Sequence, residues 1–170
     1  MDVIQNKVAE SSIQVIDLER FLPDAPVSEI DLSDFLTGGF LLREKDFRDQ
    51  VKHKDWSAFR GHHVGIFCST DAIIPTWAFM LIAAKLDGVA LSVTSARAEA
   101  LQESLLLAAI DGHDWSEFDD LIVVLKGCGT GQITPAAYVK ATAHVQQVAR
   151  KLMYGEPCSS VPIWRRPAQQ

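Results

Sequence analysis

The sequence has 170 residues, of which 48% are hydrophobic and 22% charged, and its formal net charge is −6. These values are ordinary for one soluble globular domain, and a chain of this length can bury about 70% of the surface that it exposes when unfolded. The negative charge argues against general binding to nucleic acids or acidic membranes, and no apolar run approaches the ~20 residues of a membrane helix. The N-terminus lacks a signal pattern, so we expect a cytoplasmic protein whose three cysteines are reduced.

The first part of the chain, residues 1–42, is predicted to cover the main sheet or to extend one of its edges. Residues 13–16 and 28–31 have the composition of short strands. Pro23 and Pro26 lie in the loop between them, and proline cannot donate a hydrogen bond to a neighbouring strand. A central strand in this part of the chain is therefore not expected.

Three strand–helix pairs are predicted after a first helix over residues 44–53. Strand A (62–67) precedes a helix near Pro75, strand B (89–93) precedes a helix over 96–110, and strand C (121–126) precedes a helix from Pro135 to about Met153. The tail after Met153 contains prolines and is predicted to be extended or looped. Alternation of strands and helices with short connections is typical of a parallel sheet covered by helices.

A pattern that begins at Asp55 returns at Asp114. Each copy starts with Asp-Trp-Ser, continues into an apolar run that ends near a cysteine, and is followed by a proline that opens a helix. In the simplest duplicated arrangement strands A and C lie side by side. We therefore predict an α/β fold with a short parallel sheet in the order B-A-C, helices on both faces and two internal repeats. Within a single domain over 1–170, the N-terminal cover is 1–42, repeat one 43–93 and repeat two 96–164.

The predicted strand order reverses between A and C, which opens a crevice at the carboxyl ends of the strands, where ligands usually bind. Cys68 and Cys128 follow the ends of these strands. We expect their Cα atoms roughly 5–8 Å apart, given the spacing of neighbouring strands, and their thiols facing a concave surface. A helix begins soon after each cysteine, and its partial positive charge favours an anionic ligand.

Three kinds of chemistry fit this arrangement. The first is a metal site, because soft thiolates suit zinc and iron–sulfur clusters. Cys68, Cys128 and Cys158 would supply three ligands and Asp71, Glu156 or a histidine the fourth, although their spacing matches no compact motif. The approach of Cys158 is the difficulty, because the predicted last helix runs away from the crevice for about 25 Å.

The second kind of chemistry is a thiol-dependent enzyme or sulfur carrier, in which Cys68 or Cys128 is the nucleophile. A helix N-terminus, or His62, His63 or Lys126, would then activate the thiol. The third possibility is a non-catalytic interaction scaffold whose cysteines are small buried hydrophobic residues.

The blocks FCSTDAIIPTWAFM, KGCGTGQITPAAYVK and KLMYGEPCSSVPIW span the three cysteines. With them, nearly the whole chain resembles a bacterial family catalogued as domain of unknown function 2480. Genes of that family often lie beside iron–sulfur assembly genes, so the resemblance implies a link to iron–sulfur or sulfur metabolism and iron–sulfur assembly proteins as partners. It carries no established activity. It favours a cysteine-centred site for zinc or an iron–sulfur species. From the net charge and the lack of a long apolar run we expect no nucleic-acid or membrane partner, and a homo-oligomer is compatible with the sequence.

Overall fold

The computed structural model describes residues 13–127, 129 and 131–168. It is a mixed α/β structure that divides into two compact units. Unit 1 contains the chain up to Leu22 and again from Leu105 onward, and unit 2 contains Pro23–Ser104. The single domain over residues 1–170 stays a prediction.

The strands and helices of the described residues are, in chain order, β1 (Ile13–Asp17), β2 (Val27–Asp31), α1 (Glu44–His53), β3 (His63–Phe67), α2 (Thr76–Leu86), β4 (Ser92–Thr94), α3 (Ala98–Gly112), β5 (Ile122–Lys126), α4 (Pro135–Val148), β6 (Lys151–Glu156) and β7 (Ser159–Arg165). Short 3-10 helices follow β1 and β2 and precede β3 and β5.

Unit 2 is built on a parallel sheet in the order β2-β3-β4. Its central strand β3 is an apolar run that is buried in the middle, as a strand with neighbours on both sides should be. The core between this sheet and helices α1 and α2 consists of large apolar side chains, among them Ile30, Phe47, Val51, Val64, Ile66, Ile82 and Leu86. β3 contains Gly65 because the chain after β4 passes close by: a Cβ at Gly65 would lie 2.4 Å from the carbonyl oxygen of Ala96.

Unit 1 is built on a sheet in the order β1-β5-β6-β7, in which β1, β5 and β6 are parallel and β7 is antiparallel to β6. Small residues on one stripe of α4, Ala137 and Ala141, are fully buried and let the helix pack closely. Their neighbours in the core include Ile16, Leu106, Ile110, Val123, Leu125, Val145 and Leu152.

The predicted sheet order B-A-C differs from the structure in the position of strand C. Strands A and B correspond to β3 and β4, which are parallel neighbours, but strand C is β5 and belongs to the other sheet. The continuous apolar run of strand C indicates that both of its faces are buried, but it does not say which strands flank it. Strands from the N-terminal part of the chain take flanking positions in both sheets: β1 is the edge strand beside β5, and β2 is the edge strand beside β3. Strand B is also shorter than predicted, since β4 covers only Ser92–Thr94.

The prediction that the last helix continues to about Met153 is wrong. α4 ends at Val148, and the backbone N–H of Arg150 donates to the carbonyl of Leu121 at 2.8 Å, which starts the pairing of β6 with β5. Apolar residues in this segment fit both a helix stripe and strand alternation, so their spacing alone was ambiguous. The tail was predicted to be extended or looped, and its extended form is the one observed: β7 pairs with β6, and Pro162 is tolerated because β7 is an edge strand.

The two Asp-Trp-Ser turns adopt the same local structure. The indole Nε1 of Trp56 donates to the carbonyl of Val51 at 3.0 Å, and that of Trp115 donates to the carbonyl of Ile110 at the same distance. Asp55 and Asp114 each accept a hydrogen bond from the backbone N–H two residues later at 2.9 Å. Both tryptophans are thus anchors for the helix that precedes them, and both aspartates cap a short turn.

Candidate functional site

In each sheet, the N-terminal edge strand ends in an aspartate. β1 ends in Ile16-Asp17 and β2 in Ile30-Asp31. In both cases a leucine follows directly and a buried phenylalanine comes three residues after that leucine. Asp17 accepts from the backbone N–H of Glu19 at 3.1 Å, and Asp31 from that of Ser33 at 2.9 Å. Apolar spacing alone did not predict these two aspartates, although the repeated Ile-Asp-Leu pattern marks both of them in the sequence.

In unit 2 the carboxylate of Asp31 ties the end of β2 to the loop after β3. It accepts a second hydrogen bond from the backbone N–H of Ser69 at 3.0 Å, while the hydroxyls of Ser33 and Ser69 lie 3.1 Å apart. Partial burial would raise the pKa of Asp31, but the hydrogen bonds from Ser69 and Ser33 outweigh it and lower this pKa below the usual value. The ionised carboxylate therefore holds the residue next to Cys68 in place.

Cys68 directly follows β3 and is half-buried against the unit 2 core. Its Sγ lies 3.4 Å from the Oγ1 of Thr70. It lines a cavity of about 420 Å³ at the carboxyl ends of β3 and β4, where Ser95 and Ala96 form part of the opposite wall. The thiol thus stands beside a hydroxyl at a concave surface.

Asp71, the predicted fourth metal ligand, is exposed in the same loop. It lines a different cavity of about 440 Å³ together with Phe40 and Ile73, whose side chains are 72% and 92% exposed. Apart from Thr70, the other described residues that line this cavity have apolar side chains, so none of them offers a second carboxylate, imidazole or thiolate ligand.

The structure does not bring His62 and His63 to the thiol of Cys68. Both lie at the start of β3, at the opposite end of the strand, where the Nδ1 of His62 is 2.7 Å from Ser28 Oγ and that of His63 is 2.7 Å from Ser92 Oγ. A strand advances roughly 3.3 Å per residue, so these rings are too far from Cys68 to act on it directly.

In unit 1 a lysine lies between two carboxylates at the carboxyl end of the sheet. The Nζ of Lys126, the last residue of β5, is 3.5 Å from Asp17 Oδ2 and 3.7 Å from Glu156 Oε1. These three residues end β1, β5 and β6. All three side chains are partly exposed, so the ion pairs contribute little to stability, but they neutralise part of the acidic charge at this end.

In the sequence, Cys128 comes two residues after the last residue of β5, and Cys158 comes two residues after the last residue of β6. Cys158 is exposed in the turn between β6 and β7. Cys128 lies outside the described residues, and so does its predicted distance from Cys68. The glycines that flank it are described: a Cβ at Gly127 would lie 3.0 Å from the hydroxyl of Tyr138, and one at Gly129 would lie 3.0 Å from Glu19 Oε1.

An apolar cavity of about 400 Å³ lies between α4 and the β6–β7 hairpin of unit 1. Tyr138 and Tyr154 both line it, with their rings edge to face at 5.3 Å. Further lining residues are aliphatic, among them Leu125, Ile133, Val139, Leu152 and Ile163.

Among residues 13–127, 129 and 131–168, no group of three or more histidine, cysteine, aspartate or glutamate side chains is arranged to hold a metal ion. Cys68 and Cys158 belong to different units, and both are free cysteines. In the same part of the chain, no helix has the length and apolar character needed to cross a membrane.

A family model described as "Protein of unknown function (DUF2480)" matches residues 2–166. The chain belongs to this family. The match confirms the resemblance inferred from the three cysteine-containing blocks, and it covers both units. No curated protein and no solved structure matches the chain.

Proposed function

We propose that the protein binds zinc or an iron–sulfur species through cysteine thiolates at the carboxyl end of the unit 1 sheet, in support of iron–sulfur or sulfur metabolism. One observation carries the proposal: β5 and β6 are parallel neighbours. β5 ends at Lys126 and β6 at Glu156, and a cysteine follows each of them two residues later in the sequence.

The pairing of β6 with β5 removes the difficulty that the sequence raised for Cys158. A helix to Met153 would have carried the chain away from the crevice. Instead, β6 runs parallel to β5 and returns the chain to the carboxyl end of the sheet, with Tyr154 opposite Leu125. Neighbouring strands are about 4.8 Å apart. We expect two thiols that each follow such a strand by two residues to come within reach of one metal ion. The proposed pair is therefore Cys128 and Cys158, in place of Cys68 and Cys128.

The donor set near this end suits zinc or iron. Thiolates are soft ligands, and zinc also accepts carboxylate oxygens in four-coordinate sites. Glu156 is at the end of β6 and Glu19 lies beside Gly129, so both carboxylates are candidates to complete the ligand set. Lys126 lies beside Glu156 and would offset the negative charge of a thiolate-rich site.

The test is the metal content of protein purified without chelator, measured by elemental analysis, and again after anaerobic reconstitution with iron and sulfide. The wild-type chain should hold stoichiometric metal in at least one of the two preparations. Cys128→Ser and Cys158→Ser should each abolish binding, because either change removes one thiolate of the pair. Substoichiometric metal in both preparations of the wild-type chain would contradict the proposal.

Cys68→Ser is the matched control, because Cys68 belongs to unit 2. It should retain the metal if the pair in unit 1 is the site. Loss of metal in Cys68→Ser and in Asp71→Asn would instead support the four-residue set of Cys68, Cys128, Cys158 and Asp71.

A second candidate function is a thiol enzyme or sulfur carrier centred on Cys68. It is favoured by the cavity of about 420 Å³ beside this thiol and by the nearby hydroxyl of Thr70. Limiting iodoacetamide followed by mass spectrometry should then modify the half-buried Cys68 faster than the exposed Cys158. If Cys158 reacts faster, exposure alone governs thiol reactivity and Cys68 is not activated. If the protein also holds no metal, the interaction scaffold is the function that remains.

We also infer that the two units descend from one duplicated unit. Each has an Ile-Asp-Leu strand end, a central apolar strand and an Asp-Trp-Ser turn whose tryptophan bonds to the preceding helix. These shared features support the duplication at the level of local contacts. After the duplication, the side chains at the carboxyl ends of the strands would have diverged, which would account for the different chemistry of the two units.

A further inference from the structure

Unit 2 presents large apolar side chains to solvent on the loop before α1 and on the loop before α2. Phe40 is 72% exposed, Leu41 45% and Ile73 92%. All three line the cavity of about 440 Å³ that Asp71 also lines. They therefore form one continuous surface rather than scattered single residues, and we call it the unit 2 patch. Its members are the apolar residues that line this cavity: Phe40, Leu41, Leu42, Ala72, Ile73 and Pro75.

The backbone of the first loop holds Phe40 in its exposed position. The N–H of Thr37 donates to the carbonyl of Leu41 at 2.9 Å, and the N–H of Leu41 donates back to the carbonyl of Thr37 at 3.2 Å. Between them, Gly38 and Gly39 have φ values of +64° and +80°, which glycine adopts without strain. A Cβ at Gly38 would lie 3.0 Å from the ring of Phe40, so the ring packs over this glycine.

The outward side of α2 continues the unit 2 patch, because Pro75 lines the cavity and is the N-cap of this helix. Lys85 is the single charged residue of α2, and it lies in the last turn. The outward side instead carries Met80, which is 66% exposed, and the exposed Ala84. The inward side is a stripe of fully buried residues: Ala78, Ile82 and Leu86.

Helix α1 of the same unit shows what an ordinary solvent-facing helix looks like in this chain. Its buried residues are Phe47 and Val51, and its exposed side carries charges of both signs: Lys45, Asp46, Arg48, Asp49 and Lys52. A helix that is apolar on all sides, as α2 is over most of its length, is typical of one that is covered on all sides. The outward side of α2 therefore indicates a surface that another protein covers.

The size of the exposed apolar surface fits the centre of a dimer interface. A large side chain has about 150–250 Å² of surface, so Phe40, Leu41, Ile73 and Met80 together expose on the order of 500 Å². Apolar patches of this size are at the upper end for monomers and are often functional. A stable interface buries about 800 Å² on each partner, of which the rim is polar.

We propose that the unit 2 patch is the contact surface of a two-fold symmetric dimer of this chain. The patch holds both exposed knobs, Phe40 and Ile73, and a cavity, so it is complementary to a second copy of itself. Its rim carries both signs of charge: Asp71 lines the cavity, and the guanidinium of Arg48 lies 5.0 Å over the ring of Trp77. A two-fold axis between them brings the carboxylate of one copy towards the guanidinium of the other, which favours a second copy over a partner of one charge.

The test is sedimentation equilibrium of the full chain over a range of concentrations. The wild-type chain should show a monomer–dimer equilibrium. Ile73→Glu and Phe40→Glu should each raise the dissociation constant about a hundredfold, because each substitution puts an unpaired carboxylate at an apolar contact. Both side chains are largely exposed in the single chain, so both variants should keep the circular dichroism spectrum of the wild type. That spectrum distinguishes lost association from lost folding.

Val139→Glu is the matched control. Val139 is 71% exposed, but it lines the apolar cavity of unit 1 instead. Its substitution should change the dissociation constant by no more than about twofold, since residues outside an interface do not contribute to its affinity. A wild-type chain that stays monomeric up to its solubility limit, or equal losses in Val139→Glu and Ile73→Glu, would overturn the proposal. Ile73→Glu should keep the metal content of the wild type, so the dimer and the metal site are tested separately.

Charge reversal tests the two-fold arrangement of the rim. Asp71→Arg and Arg48→Glu should each weaken dimerisation about three- to tenfold, because each brings like charges together across the interface. The double variant should associate more tightly than either single variant, since opposite charges then meet again. Arg48 also pairs with Glu44 of its own helix at 2.8 Å, so this recovery is the deciding measurement. A double variant that associates no more tightly than the weaker single variant would contradict the two-fold arrangement.

Discussion

Unit 1 and unit 2 place different side chains at equivalent points of their parallel strands. In unit 2 the strand ends carry Asp31 and, directly after β3, Cys68, surrounded by serine and threonine hydroxyls. In unit 1 they carry Asp17, Lys126 and Glu156, joined by ion pairs. The aspartate of the edge strand caps a short helix in both units, so its structural role is common to both.

The comparison distinguishes the residues that stabilise each unit from the residues that could carry its chemistry. The residues that the units share, the capping aspartates and the anchoring tryptophans, bond to nearby backbone atoms. The residues that differ lie at the strand ends, where side chains are only partly buried. Local geometry is thus maintained by backbone contacts, and the chemistry at the strand ends is free to vary because few of those side chains are needed for packing.

The largest loss of stability that we expect is at the centre of the sheets, where the two units differ. Gly65 is the middle residue of β3, and the middle residue of β5 is the buried Val124. Gly65→Ala would place a methyl group 2.4 Å from the carbonyl oxygen of Ala96, so the chain after β4 must move. We expect a loss of about 3 kcal/mol, at the upper end for overpacking, measured by thermal unfolding and by hydrogen exchange of β3.

The control for this substitution is Gly112→Ala at the end of α3, where an added Cβ has no neighbour within 4 Å and the residue is helical. It should be neutral or stabilise the chain by about 0.5 kcal/mol, as alanine does in helices. If the two alanine variants unfold at the same temperature, the close approach at Gly65 is not a constraint on unit 2.

A smaller effect is expected at the two tryptophans. Trp56→Phe and Trp115→Phe each leave a buried carbonyl without its indole donor, which costs about 1–3 kcal/mol. Trp115→Phe should cost more, because the indole of Trp115 also stacks on His144 at 5.7 Å and packs against Phe21 at 5.9 Å. Urea unfolding followed by the remaining tryptophans would measure both. Equal losses would show that the aromatic contacts of Trp115 add nothing to the shared hydrogen bond.

The smallest effect concerns pH. Hydrogen bonds from Lys140 and from His144 lower the pKa of Asp111 below its usual value of 3.8. A carboxyl whose pKa is lowered by folding stabilises the native state at pH values above 3.8, and this contribution is lost as the pH falls through its folded pKa. Asp111→Asn should therefore flatten the decline of the unfolding temperature on acidification below that pH.

Asp55→Asn in unit 2 is the companion variant for the pH experiment. Hydrogen bonds from the side chain and backbone of Ser57 lower the pKa of Asp55 as well, and no cationic side chain contributes to this shift. Added salt should therefore diminish the acid dependence due to Asp111 more than that due to Asp55, because salt screens the attraction between charges. The same salt response in both variants would argue against an ionic contribution at Asp111.

Local features of the fold were predictable from the sequence. The helix predicted over 44–53 is α1, Pro135 opens α4, and Cys68 follows the apolar run that became β3. Each of these rests on residues close together in the chain: an apolar spacing, a proline with a fixed φ, a run of β-branched side chains. The two N-terminal strands were also found near their predicted positions, as edge strands.

Pairing between distant segments was not predictable in the same way. The apolar run of β5 requires two neighbours, but only the structure shows that these are β1 and β6. A cavity lined by Asp120, Arg150 and Arg165 follows from the same pairing, because these residues meet only where β5, β6 and β7 are aligned. Spacing along the chain has no signal for such a site, since its members occur in no compact motif.

The division of unit 1 into two chain segments has a consequence for how the protein is made. Ile13 of β1 pairs with Ile122 of β5, whereas Val27 of β2 pairs with His63 of β3. During synthesis the ribosome therefore completes unit 2 while β1 still lacks its partner strand, and domains generally fold as their sequence emerges. Unit 2 should reach its native hydrogen-exchange protection first in ribosome-stalled chains. Unit 1 must wait for a long-range strand pairing whose loop-closure entropy slows folding, so we expect it to gain protection only after β5 and β6 have emerged.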